Sequence, residues 1–300
     1  YVHENKPHPG QVWSARVIRE LLVNGATHSP SAAGQVQDRY SLRCFPQYSG
    51  AIVEGLARII EVVETEMNSV SDNPLIDPAT GQFHQSGNFL GQYVGIAMDD
   101  LRRFVGLLAK HLDVQIAGLV SPEFNGGLSP SLRGNEDRMY NMGLKGLQIC
   151  GNSIMPMLTY LANPLVEHYP THAEQFNQNI NGLSWGAANM AWNSIGYFRH
   201  YLAVAALFAV QAVDLRAREE LGHFDGRRIL GSTGQEFYRT VCRLLSVEPG
   251  PDRPLVFDDS DRWLEQDIER LATDIGQQNQ LVSAVQPIAE SFDHFCEVNQ

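Results

Sequence analysis

Few of the patterns that announce a function are present in this chain. Its four cysteines, Cys44, Cys150, Cys242 and Cys296, are far apart and form no CxxC pair. Such scattered thiols read as reduced, buried residues of a cytoplasmic protein. Basic residues are scarce, 22 against 34 acidic ones, for a formal net charge of −12. No Lys/Arg cluster offers a track for a phosphate backbone, which argues against nucleic acid as a partner. A signal peptide and an apolar run of bilayer length are both missing, so no membrane is expected. HExxH, GxSxG, P-loop and GxGxxG motifs are absent, and the ten histidines fall at no metal-ligand spacing. There is no period-two alternation long enough for a strand, no repeat and no low-complexity tract. The first residue is Tyr1 rather than Met, in what reads as a loop, so the chain reads as a fragment or as one piece of a cut chain.

What is present is helical. The 300 residues are 43% hydrophobic, ample for a sizeable core. Residues 1–48 read as an irregular segment rich in Pro, Gly, Ser and His, with one short helix near Trp13–Leu22. From Gly50 to Asn68, Ile52, Leu56, Ile59, Ile60 and Val63 recur at helical spacing. Asp72-Asn73-Pro74 and Asp77–Gly81 mark turns. A long helix is expected over Asn88–Leu119, with a stripe from Leu90 through Val94, Met98, Leu101 and Val105 to Ile116. Ser121–Arg138 reads as loop. Another helix is expected from Asn141 to about Ala162, bent at Pro156.

The largest expected element runs from Ala173 to Glu220. No proline interrupts it, and Ala203–Val213 is apolar almost all round, as in a helix buried at the centre of a bundle. Its length would be on the order of 70 Å, more than a small domain spans, which favours an extended bundle that oligomerises. Ser232-Thr233, with Glu236, offers a capping box for a helix to Leu245. Glu248–Pro254 reads as a linker, and a helical pair fills Asp261–Phe295. The expected fold is all-α, with a central bundle over 49–222 and a helical C-terminal region over 223–300.

Three clusters could carry chemistry. At the start of the longest helix, Glu174, Asn177, Gln178 and Asn181 fall at i, i+3, i+4 and i+7 and would share one face. Buried, such groups cost about 1–3 kcal/mol each if unsatisfied, so they would bind each other, water or a ligand. A solvated polar first turn fits the pattern equally well. In Gln37–Arg43, two arginines and Tyr40 around a turn could clamp a carboxylate, since guanidinium presents a planar fork; a surface Arg–Asp network fits too. Asn88, before the first long helix, could bind a carboxylate with the backbone N–H groups there, or act as an ordinary cap.

Read together, these stretches resemble a known family. HENKPHPGQ (3–11), QDRYSLRCFPQ (37–47), DNPLID (72–77), GNFLGQY (87–93), MGLKGLQICGNSIMP (142–156), HAEQFNQNIN (172–181) and VQAVDLR (210–216) carry the likeness, which extends nearly to the C-terminus. They are similar to ammonia-lyases and aminomutases that use a 4-methylidene-imidazol-5-one (MIO) group, most of all to bacterial phenylalanine lyases. The resemblance implies a homotetramer, a bundle of long helices, and active sites assembled from several subunits. It implies that Tyr40 lies near the substrate's reacting carbons and amine. Arg43 would pair with the substrate carboxylate, assisted by Asn88, while Gln37 and Phe89 line the pocket. Glu174, Asn177 and Gln178 would surround the amine and ring, with Lys145 and Ile149 on a neighbouring helix.

The sequence departs from the family pattern in three places. The Ala-Ser-Gly segment that cyclises to MIO is absent, along with the loop carrying the base tyrosine; Ser31-Ala32-Ala33-Gly34 and Gln85-Ser86-Gly87 lack the required order. The chain alone is therefore expected to be inactive without the N-terminal half. His84-Gln85-Ser86-Gly87 replaces the usual His-Gly-Gly. Gly182-Leu183-Ser184-Trp185 stands where lyases usually carry Ser-Gln-Gly. The expected activity is elimination of ammonia from L-phenylalanine or L-tyrosine. A 2,3-aminomutase and an inactive helical scaffold are the alternatives.

Overall fold

The computed structural model describes residues 1–23, 25, 37–168 and 171–299. The described residues are all-α apart from one small hairpin. Helix α1 (Pro9–Leu22) starts on Pro9, whose fixed φ suits a first helical position. α2 (Tyr40–Arg43) is a single turn leading directly into α3 (Phe45–Met67). Residues 1–48 are thus less irregular than expected. The strands β1 (Leu75–Ile76) and β2 (Phe83–His84) pair antiparallel, too short to leave a period in the sequence. Their turn is set by Asp77, whose carboxylate accepts from Ala79 N (2.9 Å) and Thr80 Oγ1 (2.6 Å).

The long helices follow: α4 (Gln92–Leu119), α5 (Lys145–Leu161, containing Pro156) and α6 (Ser184–Leu221). The C-terminal region holds α7 (Ser232–Leu244), α8 (Leu264–Gly276), α9 (Gln280–Ala284) and α10 (Gln286–Asn299). The expected capping box before α7 is not formed; Gly231 is the N-cap and no side chain caps it.

α6 packs against α4, α5 and α8, and α4 also packs against α3, which carries α1 on its outer side. The main core gathers Val105, Ala109 and Ile116 of α4, Leu147 and Leu158 of α5, and Val204, Leu207, Phe208 and Leu215 of α6. By length and composition α6 is apolar enough to cross a membrane, contrary to the sequence expectation. However, 61% of that stretch is buried inside the protein, so its hydropathy serves the bundle core. A second cluster joins α1, α3 and α10, with Trp13 against Phe292 and Phe295 at 6.0 Å.

Polar groups inside the core fasten the C-terminal region to α6. Gln211 donates to the carbonyls of Leu132 (2.9 Å) and Val256 (2.8 Å) and accepts from Val256 N (2.9 Å). Asp214 accepts from Tyr238 Oη (2.5 Å) and Leu255 N (2.7 Å). The thiols are less uniformly buried than expected. Cys242 and Cys296 lie inside, whereas Cys150 is exposed and Cys44 half-buried.

α6 begins eleven residues later than the sequence pattern suggests. Glu174, Gln175 and Phe176 take φ of 52°, 54° and 76°, and Leu183 takes 52°, so no α-helix runs through them. The shared helical face of Glu174, Asn177, Gln178 and Asn181 therefore does not exist. Side chains at helical spacing are compatible with a compact turn as well, and here the backbone is left-handed at four non-glycine positions.

Candidate functional site

Tyr40 and Arg43 are brought together by the single turn α2. The Arg43 guanidinium lies 4.4 Å over the Tyr40 ring, and Tyr40 is 73% exposed. Arg39 is instead occupied with Phe124, at 4.1 Å. The surface Arg–Asp network left open by the sequence is not formed. Among the described residues, no carboxylate pairs with Arg39 or Arg43. Arg43 thus keeps its hydrogen-bonding edge free while its flat face is held. It borders a groove of about 570 Å³ formed with His3, Arg19, Leu42 and Pro46. Gln37 lies exposed just before this turn.

Asn88 is not a helix cap, because α4 starts at Gln92 with Gly91 as N-cap. It is held by the hairpin loop: its backbone N–H donates to Ser86 Oγ (3.0 Å) and its side chain to the Val70 carbonyl (3.2 Å). Ser86 N in turn donates to Asn73 Oδ1 (2.8 Å). Gln85-Ser86-Gly87, one of the two look-alikes, therefore serves as a hydrogen-bonded bend. The other, Ser31–Gly34, lies outside the described residues. Phe89, beside Asn88, is exposed.

The segment 173–178 closes into a compact turn through Ala173 N to the Gln178 carbonyl (2.7 Å). Within it, Asn177 Nδ2 donates to Glu174 Oε2 (3.2 Å). Glu174 and Asn177 are exposed and Gln178 is half-buried, so the expected stripe of buried amides is an open polar turn instead. Lys145 and Ile149 occupy successive turns at the start of α5, both exposed. Among the described residues, no hydrogen bond or ion pair joins the Tyr40–Arg43 pair to Asn88 or to the 173–178 turn. Nor do any three His, Cys, Asp or Glu side chains there gather as for a metal ion.

Comparison with known proteins gives these clusters a context. Residues 1–241 match the family described as aromatic amino acid lyase. The chain belongs to that family. The phenylalanine ammonia-lyase of Nostoc punctiforme is 48% identical over 299 residues, covering 97% of this chain and 52% of that protein. An aromatic ammonia-lyase of Loktanella atrilutea is 43% identical over 303 residues, covering 98% of this chain and 55% of the relative. Among solved structures, the Pantoea agglomerans phenylalanine aminomutase aligns with a TM-score of 0.78 at 26% identity, covering 91% of this chain and 53% of that one. The fold is that of the helical ammonia-lyase and aminomutase family. This chain spans about half the length of the curated relatives it matches.

Sequence reasoning passed over two residues that the structure makes conspicuous. Asp99 and Arg102 lie on the buried face of α4, which runs through Gly95, Asp99, Arg102, Val105 and Ala109. The apolar stripe traced from the sequence skipped them. The available signal was two opposite-charge pairs three residues apart, Asp99/Arg102 and Asp100/Arg103, of which only the first falls on the face that carries Val105 and Ala109.

Proposed function

We propose that the complete protein eliminates ammonia from L-phenylalanine to give trans-cinnamate, with this chain supplying the groups that hold the substrate. The observation that carries this reading is Arg43 stacked on Tyr40 with no carboxylate partner among the described residues, in a chain 48% identical to a phenylalanine ammonia-lyase. A planar guanidinium with a free edge takes a carboxylate bidentately. Arg43 therefore anchors the substrate carboxylate and Asn88 adds an amide donor. Tyr40 lies beside that anchor, near the amine and the reacting carbons. Glu174, Asn177 and Gln178 surround the amine and ring, and Gln37, Phe89, Lys145 and Ile149 complete the walls.

In the reaction the β C–H and α C–N bonds break, the C=C bond forms, and ammonia leaves. This chain holds no segment able to form MIO, so the fit is restricted to the substrate side: the open Arg43 edge and the polar 173–178 turn suit an amino acid's charges. MIO, formed outside this chain, supplies the electrophile that turns the amine into a leaving group. The residues here orient and hold charge, a contribution of several kcal/mol to a barrier. The clusters' separation in this chain supports a site completed by the N-terminal half and by other subunits of a homotetramer.

A 2,3-aminomutase is the second reading, favoured by Gly182-Leu183-Ser184-Trp185, where left-handed Leu183 opens α6 beside the amine-side turn. The deciding experiment is chiral product analysis of the complete protein incubated with L-phenylalanine. Cinnamate with equimolar ammonia is the expected result. One hand of β-phenylalanine as the main product would transfer the assignment to the aminomutase. Turnover of L-tyrosine alone would overturn the substrate.

A further inference from the structure

Both loops carrying candidate substrate groups, residues 84–90 and 171–183, are fastened to the first three turns of α4. Asn88 and Phe89 run directly into that helix. The second loop is attached at its exit, and the 161–166 segment that precedes it is attached separately. At its exit, a methyl group on Gly95 would lie 2.6 Å from the Gly182 carbonyl oxygen, and one on Gly91 would lie 2.7 Å from Ser184 Oγ. A methyl on Gly182 would in turn sit 3.0 Å from Gln92 N. The two backbones are in direct contact, a spacing that only glycine permits.

The segment 161–166, upstream of that loop, is held by a buried ion pair. Asp99 accepts from the backbone N–H groups of Leu165 (2.7 Å) and Val166 (2.9 Å). Arg102, fully buried, donates to Asp99 and to the carbonyls of Leu161 and Asn163. Val166 then lies against Gly95, and Leu165 against Gly186 of α6, at 2.9 and 2.8 Å from where methyl groups would stand. An apolar pair of the same volume would stabilise such a core as well. What the ion pair adds is direction: four backbone groups between the end of α5 and Val166 are tied to fixed points on α4.

We propose that Gly95, Asp99 and Arg102 are positioning residues that set the distance between Asn88 and the Glu174–Gln178 turn. They hold the carboxylate side of the substrate in register with the amine side without touching the substrate. The inference rests on the substrate-holding roles given above. Misplacement by about 1 Å at a reacting centre costs on the order of a hundredfold in rate, which sets the size of effect to look for.

The test compares Gly95→Ala and Asp99→Asn with Gly118→Ala in the complete protein. Gly118 lies near the far end of α4 with open space around it, so its alanine is a matched control. Two readouts are taken: steady-state kinetics with L-phenylalanine, and amide hydrogen exchange of the ligand-free protein. Both positioning variants are expected to lose about tenfold or more in kcat, with KM changed less than about threefold. Exchange should rise together in 84–90 and 171–183 while α7 and α8 keep their protection. Gly118→Ala should match wild type in both. Where Gly95→Ala does not fold, Gly91→Ala, facing only a serine side chain, serves with a smaller shift of the same sign. Unchanged exchange in the two loops overturns the proposal, as does a kcat that falls only in step with the folded fraction. If wild type turns over no aromatic amino acid, the function fails, and the exchange result still decides the coupling.

Discussion

Arg43 shows how much a single contact decides. Its guanidinium face is occupied by Tyr40, while no carboxylate among the described residues takes its edge, which leaves that edge to the proposed substrate. Replacing it with alanine removes a charge-assisted pair worth about 1.5–3 kcal/mol, which is about 10- to 100-fold in apparent KM for L-phenylalanine. Lysine would restore only part of this, since a point charge lacks the fork. An unchanged KM in Arg43→Ala would remove the clamp assignment. Asp214 makes a different prediction. Burial pushes its carboxyl from 3.8 to about 7, against the pull of hydrogen bonds from Tyr238 and Leu255. The native protein keeps that proton to about pH 7, while the unfolded chain releases it near the ordinary value. Between the two the native state binds more protons, so this group's contribution to stability falls as pH rises. Asp214→Ala should flatten that slope in denaturant titrations. It should also lower stability by about 1–3 kcal/mol for each of the two donors left unpaired. Neither residue's partners were legible in the sequence. QDRYSLR showed the arginines but not which of them lacked a carboxylate partner, and Asp214 stood just past the apolar run Ala203–Val213 with no sign of its donors.

At the scale of elements, hydrophobic spacing located α3, α4 and α5 to within a few residues because their buried faces are continuous. It failed at the start of α6. Asn, Gln and Glu at i, i+3 and i+4 are as much at home in the turn that Ala173 and Gln178 close, and no pattern of residue types encodes φ of 52° to 76° on Glu174, Gln175 and Phe176. The hairpin before α4 escaped for a simpler reason: two-residue strands have no period. Backbone crossings are legible only through their glycines. A methyl on Gly50 of α3 would lie 2.5 Å from Gln11 N of α1, and one on Gly10 would lie 2.2 Å from the Gly50 carbonyl oxygen. No rotamer change relieves a clash with backbone. Gly50→Ala is therefore expected to force α1 from α3 and cost about 1–3 kcal/mol, the usual size of an overpacking penalty. Differential scanning calorimetry reads this directly, and a variant as stable as wild type would show that the crossing has slack. Because α1 also borders the Arg43 groove, substrate affinity should weaken in the same variant.

On two of its long helices the molecule leaves large apolar side chains exposed on a shared face. Ile149 and Tyr160 stand on one face of α5, and Trp185 and Trp192 on one face of α6, the tryptophans 81% and 72% exposed. A protein rarely leaves such surface to water unless something covers it. This chain spans about half of its relatives, and the long helices bearing the stripes form the centre of the bundle. The remaining half and neighbouring subunits of the proposed homotetramer are the coverings that this arrangement calls for. Oxidative footprinting of the complete native protein should modify Trp185 and Trp192 far more slowly than the same protein in denaturant. Sedimentation at the same concentration should give a mass near four full chains. Rapid native labelling of both tryptophans would mean that these faces stay open to solvent. The proposed substrate groups on the adjoining turn would then have to work without the enclosure that makes a carboxylate clamp effective in a low-dielectric site.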